Sequence, residues 1–239
     1  MIILWKKRRL WTVVSLVLLF LLCMFSTYKL MNARTFQLYG GIVNHVETEE
    51  KLVALTFDDG PTNNIDELLP LLEKYDVKAT FFLIGTELEQ NMNLGEAIAE
   101  AGHQIGNHTY SHKRMVFKSP SYIKEEIEKT DALIRETGFD KEIDFRPPNG
   151  KKLVGLPMYL NKNNRETITW NIEPDSLFKT ANDKVQYVKE NISPGSIILL
   201  HPMYDKTGEE WKTVEGVLAA LTKKGYRFVT VNELQESSS

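Results

Sequence analysis

Leu52-Val53-Ala54-Leu55-Thr56-Phe57 runs without a break into Asp58-Asp59-Gly60-Pro61, and the reading of this stretch decides the fold. A short apolar run containing β-branched and aromatic residues, closed by a Gly-Pro turn signal, reads as a buried strand. A helical period follows at Ile65–Tyr75, and the alternation then repeats along the chain. Further strands are expected at Thr80–Ile84, Gln104–Asn107, Asp144–Arg146, Thr167–Ile172, Ser196–Leu200 and Arg227–Val231. Helices are expected at Leu94–Ala101, Pro120–Thr137, Asn182–Asn191 and Thr213–Lys224, with a weaker one at Lys151–Asn163 that Gly155 and Pro157 interrupt. Strands alternating with helices build βα units on a mainly parallel sheet, so the class is α/β. Seven such units predict a barrel somewhat smaller than the eight-stranded kind.

Upstream of Lys51 the composition changes. Lys6-Lys7-Arg8-Arg9 precedes the almost wholly apolar run Leu10–Met31, which is long enough to cross about 30 Å of hydrocarbon as a helix. Trp5, Trp11 and Tyr28 stand where interfacial aromatics belong, and the basic cluster places the N-terminus in the cytoplasm. Residues 1–9 are therefore expected as a cytoplasmic basic N-terminus and 10–31 as a single-pass transmembrane signal-anchor. Residues 32–50 read as a polar linker, 51–236 as an extracellular domain and 237–239 as a tail. Secretion after signal cleavage is the competing reading. It calls for an apolar core of about 7–15 residues ending in small side chains, and Cys23-Met24-Phe25-Ser26-Thr27-Tyr28 is a poor match. A net charge of −3, without a basic stripe, argues against a nucleic-acid partner. The single Cys excludes an intrachain disulfide and any multi-cysteine zinc site.

The residues with chemistry to offer gather at the expected strand ends. Asp58-Asp59 leave the first strand, His108 and His112 follow the third, and Arg146 ends the fourth. Glu173 and Asp175 follow the fifth, and His201 the sixth. In parallel βα barrels the site lies on that face. Each group has a plain structural reading when taken alone. Asp-Gly-Pro is ordinary turn chemistry, a lone His can cap a strand, and a loop Arg forms ion pairs; His45 and His103 are read as structural. Together they say more. Of Asp58 and Asp59, one could bind a metal while the other stays free as a base. His108-Thr109-Tyr110-Ser111-His112 adds two imidazoles, and imidazole with carboxylate is the donor set of catalytic zinc. Arg146, followed by Pro147-Pro148, is a fixed cation able to hold a carboxylate and lower its pKa. The chain after those prolines can aim a backbone N–H as an oxyanion site needs. His201 suits a general acid, with Glu173 and Asp175 as candidate supporting carboxylates.

These motifs together resemble the polysaccharide deacetylase family, the NodB-homology type of carbohydrate esterase, from about Lys51 to Glu236. The family's T-F-D-D-G-P opening is Thr56–Pro61 and its H-[ST]-x-x-H motif is His108–His112. Its R-P-P is Arg146–Pro148 and its late L-x-H is Leu199–His201. The resemblance implies a distorted (β/α)7-type barrel that removes N-acetyl groups from amino sugars of an extracellular polysaccharide. Peptidoglycan is the nearest such polymer, with chitin-like chains or poly-N-acetylglucosamine as others. The resemblance also implies a divalent metal, usually zinc, on Asp59, His108 and His112. Asp58 would be the general base steadied by Arg146, His201 the general acid, and a backbone N–H near Asn149 would face the oxyanion. Two departures stand out. Asn149 occupies a position where the family commonly has Tyr, and Trp170-Asn171-Ile172-Glu173-Pro174-Asp175-Ser176 replaces a D-x-x-D-W-like run. Whether Glu173 or Asp175 supports His201 is thereby left open, as is the substrate wall that lacks its usual tryptophan. The rival reading is a catalytically silent glycan-binding module on the same fold, against which the complete set of base, ligands and acid argues. No protein partner is predicted.

Overall fold

The computed structural model describes residues 2–237; Met1 of the basic N-terminus and the tail beyond residue 237 lie outside the described residues. Helix α1 (Ile2–Asn32) contains neither Pro nor Gly. Its Arg8–Asn32 portion has a mean hydropathy of 2.3, and none of that window is buried. By length and composition it could cross a membrane. There follow β1 (Ile42–Val43), β2 (Leu52–Asp58), α2 (Ile65–Lys74), β3 (Thr80–Leu83), α3 (Gly85–Gln90), α4 (Met92–Glu100) and β4 (Gln104–Asn107). The order ends with α5 (Pro120–Glu136), α6 (Gly155–Lys162), β5 (Thr167–Ile168), α7 (Ala181–Asn191), β6 (Ile197–Leu200), α8 (Glu209–Lys223), β7 (Arg227–Val229) and α9 (Val231–Glu236).

The fold is α/β with parallel sheets. One sheet runs β4-β3-β2-β6, with β7 also paired to β2, and a second joins β1 to β5. The register sets Asp58 against Phe82, Phe57 against Leu200, and Leu83 against Asn107. Residues just beyond these pairs therefore emerge along one edge, where the candidate groups lie. Alternation along each strand sorts the apolar side chains into two layers. Val53, Leu55, Phe57, Phe81, Leu83, Ile198 and Leu200 pack against helix residues such as Leu68, Ile134 and Val217. Leu52, Ala54, Phe82, Ile197 and Leu199 form the other layer with Ile168 and Trp170. Each large apolar side chain buried this way contributes about 1.5–3 kcal/mol relative to exposure. Thr56 and Asp58 fall, by the same alternation, on the inner layer.

Three expectations need correction. Asp144–Arg146 is not a strand: only Phe145 bridges, to Asn107 and to Thr167. The two prolines that follow have no N–H to extend a ladder. The expected strand Thr167–Ile172 is regular only at Thr167–Ile168, with a single bridge from Ile172 to Ile198. The segment 32–50 is not simply a linker, because β1 pairs with β5 and Val46 N–H donates to Gly195 O at 3.0 Å. Helices α3 and α9 are additional to those expected; α9 is started by a capping box of Thr230 and Glu233.

Candidate active site

The site begins where β2 ends. Asp58 stays on the inner face and is buried. Asp59 has a φ of 75°, a left-handed backbone that few side-chain-bearing residues adopt. This turn brings both carboxylates to one cleft although strand neighbours point apart. Arg146 is fully buried across from them. Its Nη1 donates to Asp58 Oδ1 at 2.6 Å and to Thr56 Oγ1 at 2.8 Å, and its Nη2 donates to Thr169 O at 3.1 Å. The guanidinium lies 4.0 Å from the centre of the Phe82 ring. Gly106 makes room for that ring, since a Cβ there would meet Phe82 Cδ1 at 2.5 Å. Burial alone would push the Asp58 carboxyl up. The Arg146 guanidinium and its hydrogen bond, with the neighbouring His108 and His201 rings, instead hold it below the ordinary carboxylate range.

His108 follows β4 and is buried, with Nδ1 2.7 Å from Arg146 O. A carbonyl only accepts, so Nδ1 carries the proton and the Nε2 lone pair faces the acids. Burial lowers the pKa of the ring more than Asp58 and Asp59 raise it, which favours a neutral imidazole. Nε2 stands 3.9 Å from Asp59 Oδ1. His112 Nε2 stands 3.2 Å from the same oxygen, yet neither of those two atoms makes a hydrogen bond and both are buried. An imidazole nitrogen and a carboxylate oxygen left buried at this distance without hydrogen bonds fit a cation between them. Donor atoms of Asp59, His108 and His112 all lie within 4.8 Å of one another. That approaches the separation of about 3.3 Å between ligands of a tetrahedral zinc with bonds near 2.0–2.1 Å.

Across the cleft His201 follows β6. Its Nδ1 is 2.9 Å from Asp175 Oδ2, which also accepts from the His201 backbone N–H at 3.0 Å. Burial acts to lower the His201 pKa, but the Asp175 bond and the charges of Asp58, Asp175 and Asp59 raise it to about 9. The other Asp175 oxygen lies 3.0 Å from Lys184 Nζ, a buried ammonium that also meets Glu210. Glu173 does not hydrogen-bond His201. It accepts from Ser176 N and Oγ, each at 2.8 Å or less. Glu173, Asp175 and His201 also form a compact group of possible ligands, but Lys184 already supplies that group with a positive charge.

Asp58, Asp59, His108, His112, Glu173 and His201 line a cleft of about 250 Å³ together with Arg34, Asn149, Trp170, Ser176 and Leu199. Asn149 sits at its rim with φ 55° and accepts from Arg114 Nε at 3.4 Å. Trp170, six residues before Ser176, supplies a tryptophan to the cleft wall. Sequence reasoning missed Thr56, Arg34, Lys184 and Glu210 as parts of the site. Thr56 lies inside the quoted motif and its parity with Asp58 could have pointed to it. For the other three the sequence carries no local signal.

The family profile described as polysaccharide deacetylase matches residues 45–167. A peptidoglycan-N-acetylglucosamine deacetylase of Bacillus cereus is 33% identical over 204 residues, covering 82% of this chain and 93% of the relative. The solved structure of the Bc1960 peptidoglycan N-acetylglucosamine deacetylase superposes with a TM-score of 0.76 at 30% identity, over 82% of this chain and 92% of that one. A carbohydrate esterase pseudoenzyme of family 4 from Bacillus anthracis gives 0.72 at 27% identity, over 82% and 69%. The chain spans about half, 54%, of the length of another relative.

Proposed function

Because this chain belongs to the polysaccharide deacetylase family, we propose that it hydrolyses N-acetyl groups on the amino sugars of an extracellular glycan, peptidoglycan first among them. The observation that carries this reading is one cleft lined by the buried Asp58 carboxylate, by Asp59, His108 and His112 with donor atoms within 4.8 Å of one another, and by His201. Asp59, His108 and His112 would hold a divalent metal, zinc by the character of the donors. When bound, such an ion supplies Lewis acidity to the acetyl carbonyl. Asp58, kept deprotonated by Arg146, removes a proton from the attacking water. Arg146 also fixes the direction of that carboxylate. The backbone beside Asn149 faces the developing oxyanion. His201, protonated at neutral pH and oriented by Asp175, gives its proton to the departing nitrogen, so acetate and a free amino sugar leave.

The reading extends to the chain's address. Helix α1 acts as an uncleaved single-pass anchor, with the catalytic domain outside the membrane. The isolated bridges at Phe145 and Ile172, which link the two sheets, support the reading of a distorted barrel. A family neighbour that is a pseudoenzyme keeps alive the second reading, a silent glycan-binding module. Acetate release from peptidoglycan, chito-oligosaccharides and poly-N-acetylglucosamine, with and without chelator, separates the two. Chelator-sensitive release lost in Asp58→Asn supports the enzyme. Metal binding with no acetate from any polymer would sink it.

A further inference from the structure

The face where α1 meets the domain does more than carry a tether. Lys152 N–H donates to Met31 O at 3.3 Å, Lys152 Nζ to Ala33 O, and Lys151 Nζ to Asn32 Oδ1. Two cations thus hold the C-terminal end of α1, where the helix dipole favours them. Lys152 is buried, so the C-terminal end of α1 is tied to the domain at this point.

Exposed apolar side chains surround that seat: Phe36, Leu38, Tyr39, Phe117, Val154 and Met158, with Phe117 80% exposed. Val154, the residue that caps the start of α6, stands four residues before Met158 on that helix. Gly40, next after Tyr39, packs on Asn161 of α6, and the carbonyl of Lys118 approaches Gly155. Single exposed apolar residues are ordinary. Six of them around the exit of an apolar helix make a surface suited to lipid headgroups and the upper acyl chains.

The cleft opens at the same place. Arg34 lines it and stands two residues beyond Asn32, so at most about 7 Å of backbone separates the end of α1 from the cleft wall. Thr169 Oγ1 donates to Arg34 O at 2.7 Å and pins it. The Arg34 guanidinium stacks on Trp170 at 4.6 Å and lies 4.0 Å from Glu173; it makes no hydrogen bond among the described residues.

We infer that the domain rests on the outer face of the membrane with its cleft at headgroup level, and that its substrate is a lipid-linked N-acetylated saccharide. This rests on the deacetylase and anchor readings above. Arg34 is the group assigned to the linking phosphate, which a guanidinium can hold through two donors.

The full chain in phospholipid vesicles tests this against two probes: a polyprenyl-pyrophosphate-linked N-acetylglucosamine oligosaccharide in the same vesicles, and that oligosaccharide free in solution. Acetate release should be roughly tenfold faster from the lipid-linked probe, through effective concentration. Arg34→Gln should erase most of that preference, read as the ratio of the two rates within the variant so that any general loss of activity cancels. A Gly/Ser spacer of about 20 residues after Lys29, reaching about 25 Å, should do the same. Equal rates on the two probes overturn the inference. Acetate from neither probe counts against the deacetylase reading, and a readout without catalysis then decides the placement. A fluorophore on Leu177→Cys in a Cys23→Ser background sits beside cleft-lining Ser176. Headgroup-bound quencher should dim it strongly in the parent chain and weakly with the spacer; equal dimming overturns the placement.

Discussion

Replacing Arg146 by Met tests the electrostatic centre of the site. Arg146 and Asp58 are both buried and meet at 2.6 Å. Removing one partner of such a pair costs about 3–5 kcal/mol, because the remaining charge is left without compensation. Thr56 Oγ1 and Thr169 O also lose their donor, a smaller effect of about 1 kcal/mol each at most. The loss must depend on pH, and its sign is fixed. In the parent chain Asp58 is held below the ordinary carboxylate range, so its stabilising contribution is complete above the unfolded value of about 3.9 and fades as pH falls through the folded one. In Arg146→Met burial prevails and the folded pKa rises, so the variant is penalised most at neutral pH and recovers on acidification. Urea unfolding at pH 7 and pH 5, on the chain from Ala33 onward, should therefore show a gap of about 3–5 kcal/mol that narrows at the lower pH. Asp58→Leu combined with Arg146→Met should regain most of the loss, since a packed apolar pair leaves no stranded charge. A single variant within about 1 kcal/mol of the parent at pH 7, or a double variant no more stable than the single, would refute the reasoning.

Other outcomes follow from the same geometry. In the metal-free chain, an NMR titration of His201 should have its midpoint near 9, and Asp175→Asn should move it down. The associated stability is complete below the ordinary value of about 6.5 and is lost as pH rises through about 9; an unchanged midpoint in Asp175→Asn would dissociate the pair. His112→Ala should weaken metal binding by roughly 100-fold or more, beyond the effect of outer-shell changes, as read by competition with a chromophoric chelator. Cutting the chain at Lys51 instead of Ala33 removes β1, the Thr169 N–H bond to Val43 O at 2.7 Å and the buried Val46. The shorter fragment should be less stable by about 2–5 kcal/mol in urea, and equal midpoints would show that segment to be dispensable.

What could be read from the sequence was local. The β2 run and its Asp58-Asp59-Gly60-Pro61 turn carry their own periodicity and punctuation, and the helices α2, α5 and α7 likewise announce themselves. Strand β1 could not be read that way. Two residues, Ile42 and Val43, offer no period, and their pairing depends on β5 far along the chain. Asp144–Arg146 failed for the opposite reason: the composition looked extended, but the following prolines limit it to one bridging residue and leave Arg146 free to turn inward. The choice between Glu173 and Asp175 was not local either. Ser176 captures the first, while Lys184 arriving on α7 and Glu210 on α8 fix the second against His201. Arg34 reaches the cleft wall through a contact from far along the chain, its carbonyl accepting from Thr169 Oγ1.

A fold shared by active deacetylases and a pseudoenzyme cannot by itself decide whether this chain works, so the decision falls to features that folding alone would not retain. Asp59, His112 and Asn149, which line one cleft, all hold positive φ, and strain of this kind collects at functional sites. Asp59 Oδ1 and His112 Nε2 face each other, buried and unpartnered, at a penalty of about 1–3 kcal/mol for each stranded group. A scaffold kept only for binding would gain by removing that conflict. Asp59→Asn provides the test, because Asn tolerates the left-handed backbone and its amide can either donate to or accept from His112 Nε2. The metal-free variant should be about 1 kcal/mol more stable than the parent. With a divalent metal present the order should reverse, since binding to the native state alone adds about 2.7 kcal/mol at a hundredfold excess over Kd. A variant that is less stable than the parent without metal would mean that the two atoms are not in conflict, and the case for a built cation site would fall with it.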